Sequence, residues 1–268
     1  MSNSIQLIVH GAAGRMGRRV VALAAEHANF QVVAAVDHRS NPLIGQDSGL
    51  LAGVATNGVA LCSDWPDKAQ AVIDFSLPTA VDNCLQEALQ RNFPLVVATT
   101  GLSDFQKESL KKASNSIPIC WAPSMSMAVN LTMKLTQQIT ETLKQVAGGL
   151  DVEIIERHHR FKADAPSGTA LRFGELIAEK MDGDTIHVQG REGETGERTR
   201  NEIGYHAVRV GDNPGEHTIV FGMMGERIEL NVAASNRDCY ASGALAAARW
   251  LQEKPNGLYS MFDVLGLS

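Results

Sequence analysis

Residues 5–17 read IQLIVHGAAGRMG, an apolar run that passes without a spacer into glycines at positions 11, 14 and 17 and then into a helical repeat. Few folds accept such a junction. The chain must bend sharply off a strand, let a ligand or a neighbouring backbone come close, and pack the new helix against the strand it has just left, and glycine serves all three needs. A purely structural strand-to-helix turn would use the same residues. The helical repeat that follows places Val20, Leu23, Ala24 and His27 on one face, and an acidic residue, Asp37, closes the next apolar run 20 residues past Gly17. A carboxylate there suits the ribose hydroxyls of a dinucleotide.

The pattern continues. IQLIV (5–9), QVVAAV (31–36), AVIDF (71–75), PLVVAT (94–99) and IPICWA (117–122) are expected strands, with a second crossover helix marked by Val81, Leu85, Ala88 and Leu89. Strands alternating with helices predict a parallel sheet covered on both faces. The loops ATTG (98–101) and APSM (122–125) end two of these strands, so they should border the nicotinamide end of a bound dinucleotide, although ordinary turn chemistry would also account for them. Arg15 stands in the glycine turn, and Arg18 and Arg19 follow as either phosphate contacts or a solvated helix face. Asp37 disfavours a 2′-phosphate by charge, whereas His38 and Arg39 could accept one, so use of NADH and NADPH alike is expected.

The second half is written differently. A long helix is expected over 129–146, ending at Gly148 and Gly149, followed by a strand over 151–157, a helix over 168–181, and strands at 187–190, 205–210, 216–222 and 226–232. Such an open, mixed sheet needs its far face covered by helices or another subunit. The Gly- and charge-rich stretch 190–204 reads as a long mobile loop, and the small-residue helix over 242–252 could return to the first unit.

Composition narrows the classes. Twenty-four Lys and Arg against 30 Asp and Glu leave a formal charge of -6, which disfavours a general nucleic-acid surface. No leader-like apolar segment and no run near the roughly 20 apolar residues of a membrane span is present, so a cytoplasmic protein is expected. Cys62, Cys84, Cys120 and Cys239 are widely spaced and read as buried free thiols, with no metal site.

Residues 156–170, ERHHRFKADAPSGTA, carry the densest chemistry. His158 and His159 could be structural, and as adjacent strand residues facing opposite ways they make a poor metal pair. Arg157, Arg160, Lys162 and Arg172 surround them, with Asp164 the one acid inside the span. Cations beside titratable imidazoles suit an anionic substrate that must receive a proton. Pro166 and Ser167 can start a helix whose first N–H groups, those of Ser167, Gly168 and Thr169, would face solvent as a carboxylate pocket, and a simple helix cap is the alternative.

With GAAGRMG, ATTG, EIIERHHRFKADAPSGTA, REGETGER and GEHTIVFG in view, the chain resembles, over essentially its whole length, the 4-hydroxy-tetrahydrodipicolinate (dihydrodipicolinate) reductases of lysine and diaminopimelate biosynthesis. The resemblance implies a Rossmann-like parallel-sheet domain (1–126, with 237–268 returning to it) and a smaller α+β domain (127–236) that binds substrate and builds a homotetramer. It implies His158 as general acid/base and Lys162 as proton donor, with His159, Ser167, Gly168, Thr169 and Arg237 on the substrate. For NADH or NADPH it implies Gly11, Ala12, Ala13, Gly14, Arg15, Met16, Asp37, Ala98, Thr99, Thr100, Ala122, Pro123, Ser124 and Met125. His38 stands where some relatives carry an arginine for the 2′-phosphate, and PSMS (123–126) where they carry Asn-Phe/Tyr-Ser. The implied reaction is hydride transfer to C4 of a cyclic unsaturated dicarboxylate followed by protonation, with hinge closure of the two domains. A different two-domain Rossmann dehydrogenase, a non-catalytic dinucleotide sensor and a metal-dependent hydrolase are the competing readings.

Overall fold

The computed structural model describes residues 4–267. In chain order the elements are β1 (Ile5–His10), α1 (Arg15–Glu26), β2 (Phe30–Val36), α2 (Ser48–Leu51), β3 (Leu61–Cys62), β4 (Ala71–Asp74), α3 (Pro78–Arg91), β5 (Leu95–Val97), α4 (Asp104–Ala113), β6 (Pro118–Trp121) and α5 (Met127–Leu143). There follow β7 (Asp151–His158), α6 (Gly168–Ala178), β8 (Ile186–Gln189), β9 (Glu202–Arg209), β10 (Glu216–Met223), β11 (Glu226–Ala233), α7 (Asp238–Leu251), β12 (Gly257–Tyr259) and α8 (Met261–Val264). The fold is α/β, and the chain divides into two units, Met1–Met127 with Arg237–Ser268, and Ala128–Asn236.

The first unit is a seven-stranded sheet in the order β12-β6-β5-β4-β1-β2-β3, with every pairing parallel. Parallel strands covered on both faces read as unbroken apolar runs, and β4 and β5 are buried at every position. Successive residues still serve opposite faces. Leu7, Val9, Ile73 and Val96 pack with Val20 and Val21 of α1 and with Ala244, Ala247, Ala248 and Leu251 of α7. Ile8, Val72, Leu95 and Val97 pack on the other side with Val81, Cys84, Leu85 and Ala88 of α3 and Leu110 of α4. The helix expected at the C-terminus therefore is α7, and it supplies half of one layer.

The second unit is a mixed sheet in the order β11-β10-β7-β9-β8. β7 runs parallel to β9 and antiparallel to β10, while β10 and β11 form a hairpin. Alternation along β7 sends Val152, Ile154, Glu156 and His158 to the face that α6 covers. Register then builds cross-strand rows: Phe221, Val152 and Ile203; Ile219, Ile154 and Tyr205; His217, Glu156 and Ala207; finally His158 and Arg209. The first two rows are apolar, and the last two carry the charge. The stretch expected to be a long mobile loop is a loop as far as 201, where β9 takes over, and within it Arg191 and Arg198 reach Glu153 at 2.9 and 3.1 Å and Arg198 also reaches Asp151 at 2.7 Å.

The short elements α2, β3, β12 and α8 are absent from the sequence reading, as is α4, whose face toward the core is only Gln106, Leu110 and Ala113. Its one clear signal was a capping box, in which Ser103 caps the Gln106 N–H and the Gln106 side chain returns to Ser103. Two cysteines also differ from expectation. Cys84 and Cys120 are buried, but Cys62 and Cys239 are half-buried, since Cys62 ends a two-residue strand near the sheet edge.

Helix α7 approaches its layer through alanines with no exposed surface. Ala248→Leu should therefore overpack this face and lower stability by about 1–3 kcal/mol, read as a lower urea midpoint with unchanged slope.

Candidate active site

Parallel pairing brings the carboxyl ends of β1, β2, β4, β5 and β6 to one edge of the first sheet, and β1 lies between β4 and β2 where strand order reverses. The glycine turn fills that point. Gly11 has φ +75°, and a side chain there would strike the Phe75 carbonyl oxygen at 2.8 Å. Gly17 faces inward, where an added Cβ would lie 2.1 Å from the Gly11 carbonyl oxygen, so helix and turn touch backbone to backbone. Gly14 is exposed on the remaining side, and it is the N-cap of α1 with no side-chain cap and no acidic residue in the first turn. First-turn amides, those of Arg15 and Met16 among them, have no intrahelical acceptor, and the helix dipole leaves them at its positive end. The turn thus fits a pyrophosphate.

Asp37 follows at the end of β2. Its carboxylate accepts from the Ala13 N–H at 3.0 Å, the His38 N–H at 2.8 Å and Asn41 Nδ2 at 3.0 Å, so it braces the turn with one acceptor direction to spare. His38 and Arg39 are exposed beyond it. Arg18 and Arg19 are partly exposed: Arg18 Nε donates to the Ala13 carbonyl at 2.8 Å, and Arg19 forks onto Asp238 at 2.6 and 2.9 Å. Both are tied to the protein by geometry their planar guanidinium favours.

On the neighbouring strand ends, Ala98, Thr99, Ala122 and Met125 are buried, whereas Thr100 and Pro123 are exposed and Ser124 half-buried. Any contact from Ala98, Ala122 or Met125 would come through the backbone. Thr99 Oγ1 donates to Asp74 at 2.7 Å, and Asp74 also lies 2.7 Å from His10 Nδ1. His10, Asp74 and Cys84 form a metal-capable group among the described residues. The His10–Asp74 spacing is that of a hydrogen bond, shorter than two ligands can stand around one ion.

In the second unit the polar rows meet the start of α6. Glu156 has no exposed surface, yet it receives four donors. Arg209 Nη1 and His158 Nδ1 reach Oε2 at 2.8 and 2.5 Å, and Arg209 Nη2 and the Ser167 N–H reach Oε1 at 2.7 and 3.0 Å. Burial alone would raise this carboxyl, but Arg209, His158 and the Ser167 amide more than reverse it and hold Glu156 below the usual carboxylate range. An ionised carboxylate can only accept, so His158 carries its hydrogen on Nδ1 and presents Nε2 as a lone pair. Burial pushes the His158 pKa down, against the pull of Glu156, and Lys162 and Arg209 add to the fall. His217, opposite Glu156 on β10, is pushed down to about 4, first by burial and then by His158. Its Nε2 lies 3.1 Å from Ser167 Oγ.

Ser167 caps α6 by accepting from the Ala170 N–H at 3.2 Å. Its own N–H is taken by Glu156, which corrects the expectation that this amide faces solvent. At the next residue the surface is open: Gly168 is exposed, and an added Cβ there would meet nothing within 4 Å. Lys162 is close by, half-buried, with its Nζ 2.7 Å from Asp164. His159 is half-buried with its ring 6.2 Å from that of Phe161. Two of the flanking cations are spent elsewhere, Arg157 on Glu216 at 2.7 Å and Arg172 on Glu175 at 2.8 Å, and Arg160 is exposed. Arg237 belongs to the first unit, exposed at the N-cap position of α7.

The sequence reading missed Glu156, Arg209 and His217. A signal for Glu156 existed, because a carboxylate two residues before a histidine on a strand shares its face. Arg209 and His217 lie 51 and 59 residues beyond His158, and only sheet register brings them to it.

A glycine turn at the reversal point of a parallel sheet, a carboxylate on the next strand and a second unit with a helix start beside buried imidazoles define a nicotinamide-dinucleotide oxidoreductase of two units. Family models for the N-terminus and the C-terminus of dihydrodipicolinate reductase match residues 5–125 and 128–265. A relative from Rhodopirellula baltica, a 4-hydroxy-tetrahydrodipicolinate reductase, is 69% identical over 98% of this chain and 97% of its own. One from Chromobacterium violaceum, of the same name, is 44% identical over 98% and 99%. The dipicolinate-bound dihydrodipicolinate reductase of Paenisporosarcina sp. TG-14 superimposes with a TM-score of 0.77 at 26% identity, covering 97% of this chain and 98% of that one. An amine dehydrogenase from Mycobacterium smegmatis shares the fold alone, with a TM-score of 0.61 at 12% identity over 97% and 96%. The chain belongs to the dihydrodipicolinate reductase family.

Acid sensitivity follows from the buried imidazole. The unfolded chain protonates His217 near the ordinary 6.5, but the native protein does so only near 4. Between those values the unfolded state binds more protons, so stability falls as pH falls, by up to about 3 kcal/mol for this group alone. Glu156 adds a loss of the same sign below the usual carboxylate range. Urea melts from pH 7 to pH 4 should show this slope, and His217→Gln should flatten it.

Proposed function

We propose that the protein reduces the dehydrated form of 4-hydroxy-tetrahydrodipicolinate to tetrahydrodipicolinate in lysine and diaminopimelate biosynthesis, using either NADH or NADPH. The observation that carries this reading is the clustering of His158, Lys162 and the start of α6, an anion site with a proton donor at its rim. Dipicolinate held by the Paenisporosarcina relative has the two carboxylates such a site would receive.

When bound, the reduced nicotinamide supplies the hydride that ring C4 of the substrate accepts. The first-turn amides of α1 and the Asp37 carboxylate would hold the dinucleotide, with Arg15, Met16, Thr100 and Ser124 at the same sheet edge. His38 and Arg39, exposed past Asp37, leave room for a 2′-phosphate without requiring one. In the second unit the amides of Gly168 and Thr169 hold one substrate carboxylate, and His159 serves the remainder of the ring.

Charge that builds on the ring must be met by a proton. Lys162 supplies it as an ammonium paired with Asp164, since neutral His158 has no hydrogen on Nε2 to give. The resulting amine recovers a proton from solvent. His158 Nε2 accepts a hydrogen bond and thereby orients the lysine or the ring.

β11, Ile228 included, is exposed along nearly its whole length, and Val208 is exposed on β9, which supports assembly into a homotetramer through this sheet. Among the described residues no helix is long and apolar enough to cross a membrane, and a cytoplasmic site of action is part of the same proposal.

Absorbance of NADH and NADPH, followed separately with substrate generated from pyruvate and aspartate semialdehyde, should fall with both cofactors. No oxidation of either would end the proposal. Lys162→Ala should lower kcat by roughly 10²- to 10⁴-fold with cofactor affinity unchanged. Light scattering after size exclusion should give four times the mass of one chain.

A further inference from the structure

We infer that Glu156 is the positioning residue of this site, with Arg209 as its counter-ion: one buried carboxylate sets the tautomer of His158 and the seat of the Ser167 turn together. The inference rests on the proposed placement of the substrate at the start of α6.

Each oxygen of Glu156 accepts two hydrogen bonds, so all four of its acceptor directions are used. Nothing remains for substrate, which separates it from a catalytic residue. Its donors come from three places: Arg209 from β9, His158 from the end of β7, and the Ser167 amide from the first residue before α6. Without the carboxylate, His158 could take either tautomer, and the Ser167 amide would lose the acceptor that draws the helix start against the sheet. An apolar side chain could fill this volume, but it could do neither of these things.

Arg209 has a second task. Its Nη2 also donates to the Asp164 carbonyl at 2.6 Å, so the turn bearing Lys162 is fixed to the same guanidinium. Imidazole, anion-binding helix and lysine turn are thereby referred to one ion pair. The charged groups facing His158 are Glu156 on its own strand, Arg209 on β9, His217 on β10, and Lys162 with Asp164 in the loop that follows. Among them Glu156 favours the imidazolium, while Lys162 and Arg209 oppose it.

Glu156→Gln keeps the size and leaves one oxygen for four donors. Assayed as the full chain, it should lose about 10²-fold in kcat, the scale of a misplaced reacting group, with NADH affinity unchanged. Inhibition by dipicolinate, the dicarboxylate probe, should weaken, and the acid limb of the kcat/KM profile should move to lower pH as His158 loses its supporting charge. Nitrogen-15 NMR of the wild-type imidazole above neutral pH should show the Nδ1–H tautomer, and a mixture in the variant. Wild-type kcat, inhibition and pH profile in a folded Glu156→Gln protein would overturn the inference. So would a lower kcat with the acid limb and the tautomer unmoved, and so would an Nε2–H tautomer in the wild type, a measurement that needs no variant to fold. His158→Gln separates the two levels: unchanged rate and inhibition in that variant would remove the proposed site itself, whereas a loss there beside an unaffected Glu156→Gln protein would remove only the positioning role.

Discussion

A carboxylate inside an apolar sheet face is costly unless every lone pair is answered, and Glu156 answers that constraint by recruiting Arg209, His158 and the Ser167 amide. The need to satisfy one ion thereby organises the second unit's chemistry. His158 must carry its hydrogen inward, Ser167 must sit down on the sheet, and the following amides of Gly168 and Thr169 are what the helix has left to offer outward. His217, neutral beside them, completes a patch in which charge sits on Glu156 and Arg209 while the imidazoles remain uncharged.

The two units build their candidate anion sites by related means. Each places a helix start beyond the end of a strand, α1 after β1 and α6 after β7, and keeps acidic residues out of the first turn. They differ in what holds the turn. In the first unit glycine permits backbone to lie on backbone, as Gly17 does on Gly11; in the second a buried ion pair does the holding. The first arrangement leaves a smooth cradle suited to an extended phosphate chain. The second leaves donors at fixed points, which suits the compact ring proposed as its substrate.

The layered first unit was legible because its signals are local. Apolar runs, crossover periodicity and the spacing of Gly11, Gly14, Gly17 and Asp37 each lie within a few turns of chain. What escaped was short or polar, as with the two residues of β3 and the largely solvated α4. In the second unit the segment 156–170 was readable as chemistry, but its wiring was not. Arg157 and Arg172 looked like substrate contacts and are ion-paired to Glu216 and Glu175, while Arg209, an ordinary strand residue by pattern, is central. Distinguishing them takes the register of β7 with β9 and β10, which depends on chain far from either residue.

The return of α7 to the first unit has a consequence for biogenesis. Ala244, Ala247, Ala248 and Leu251 complete the layer that β1 and α1 begin more than two hundred residues earlier. During synthesis on the ribosome, the inserted unit has all its strands before α7 emerges, whereas the nucleotide half must wait with part of one sheet face uncovered. Until α7 has been synthesised, nascent chains therefore expose Ile73 and Val96, the part of that face over β4 and β5.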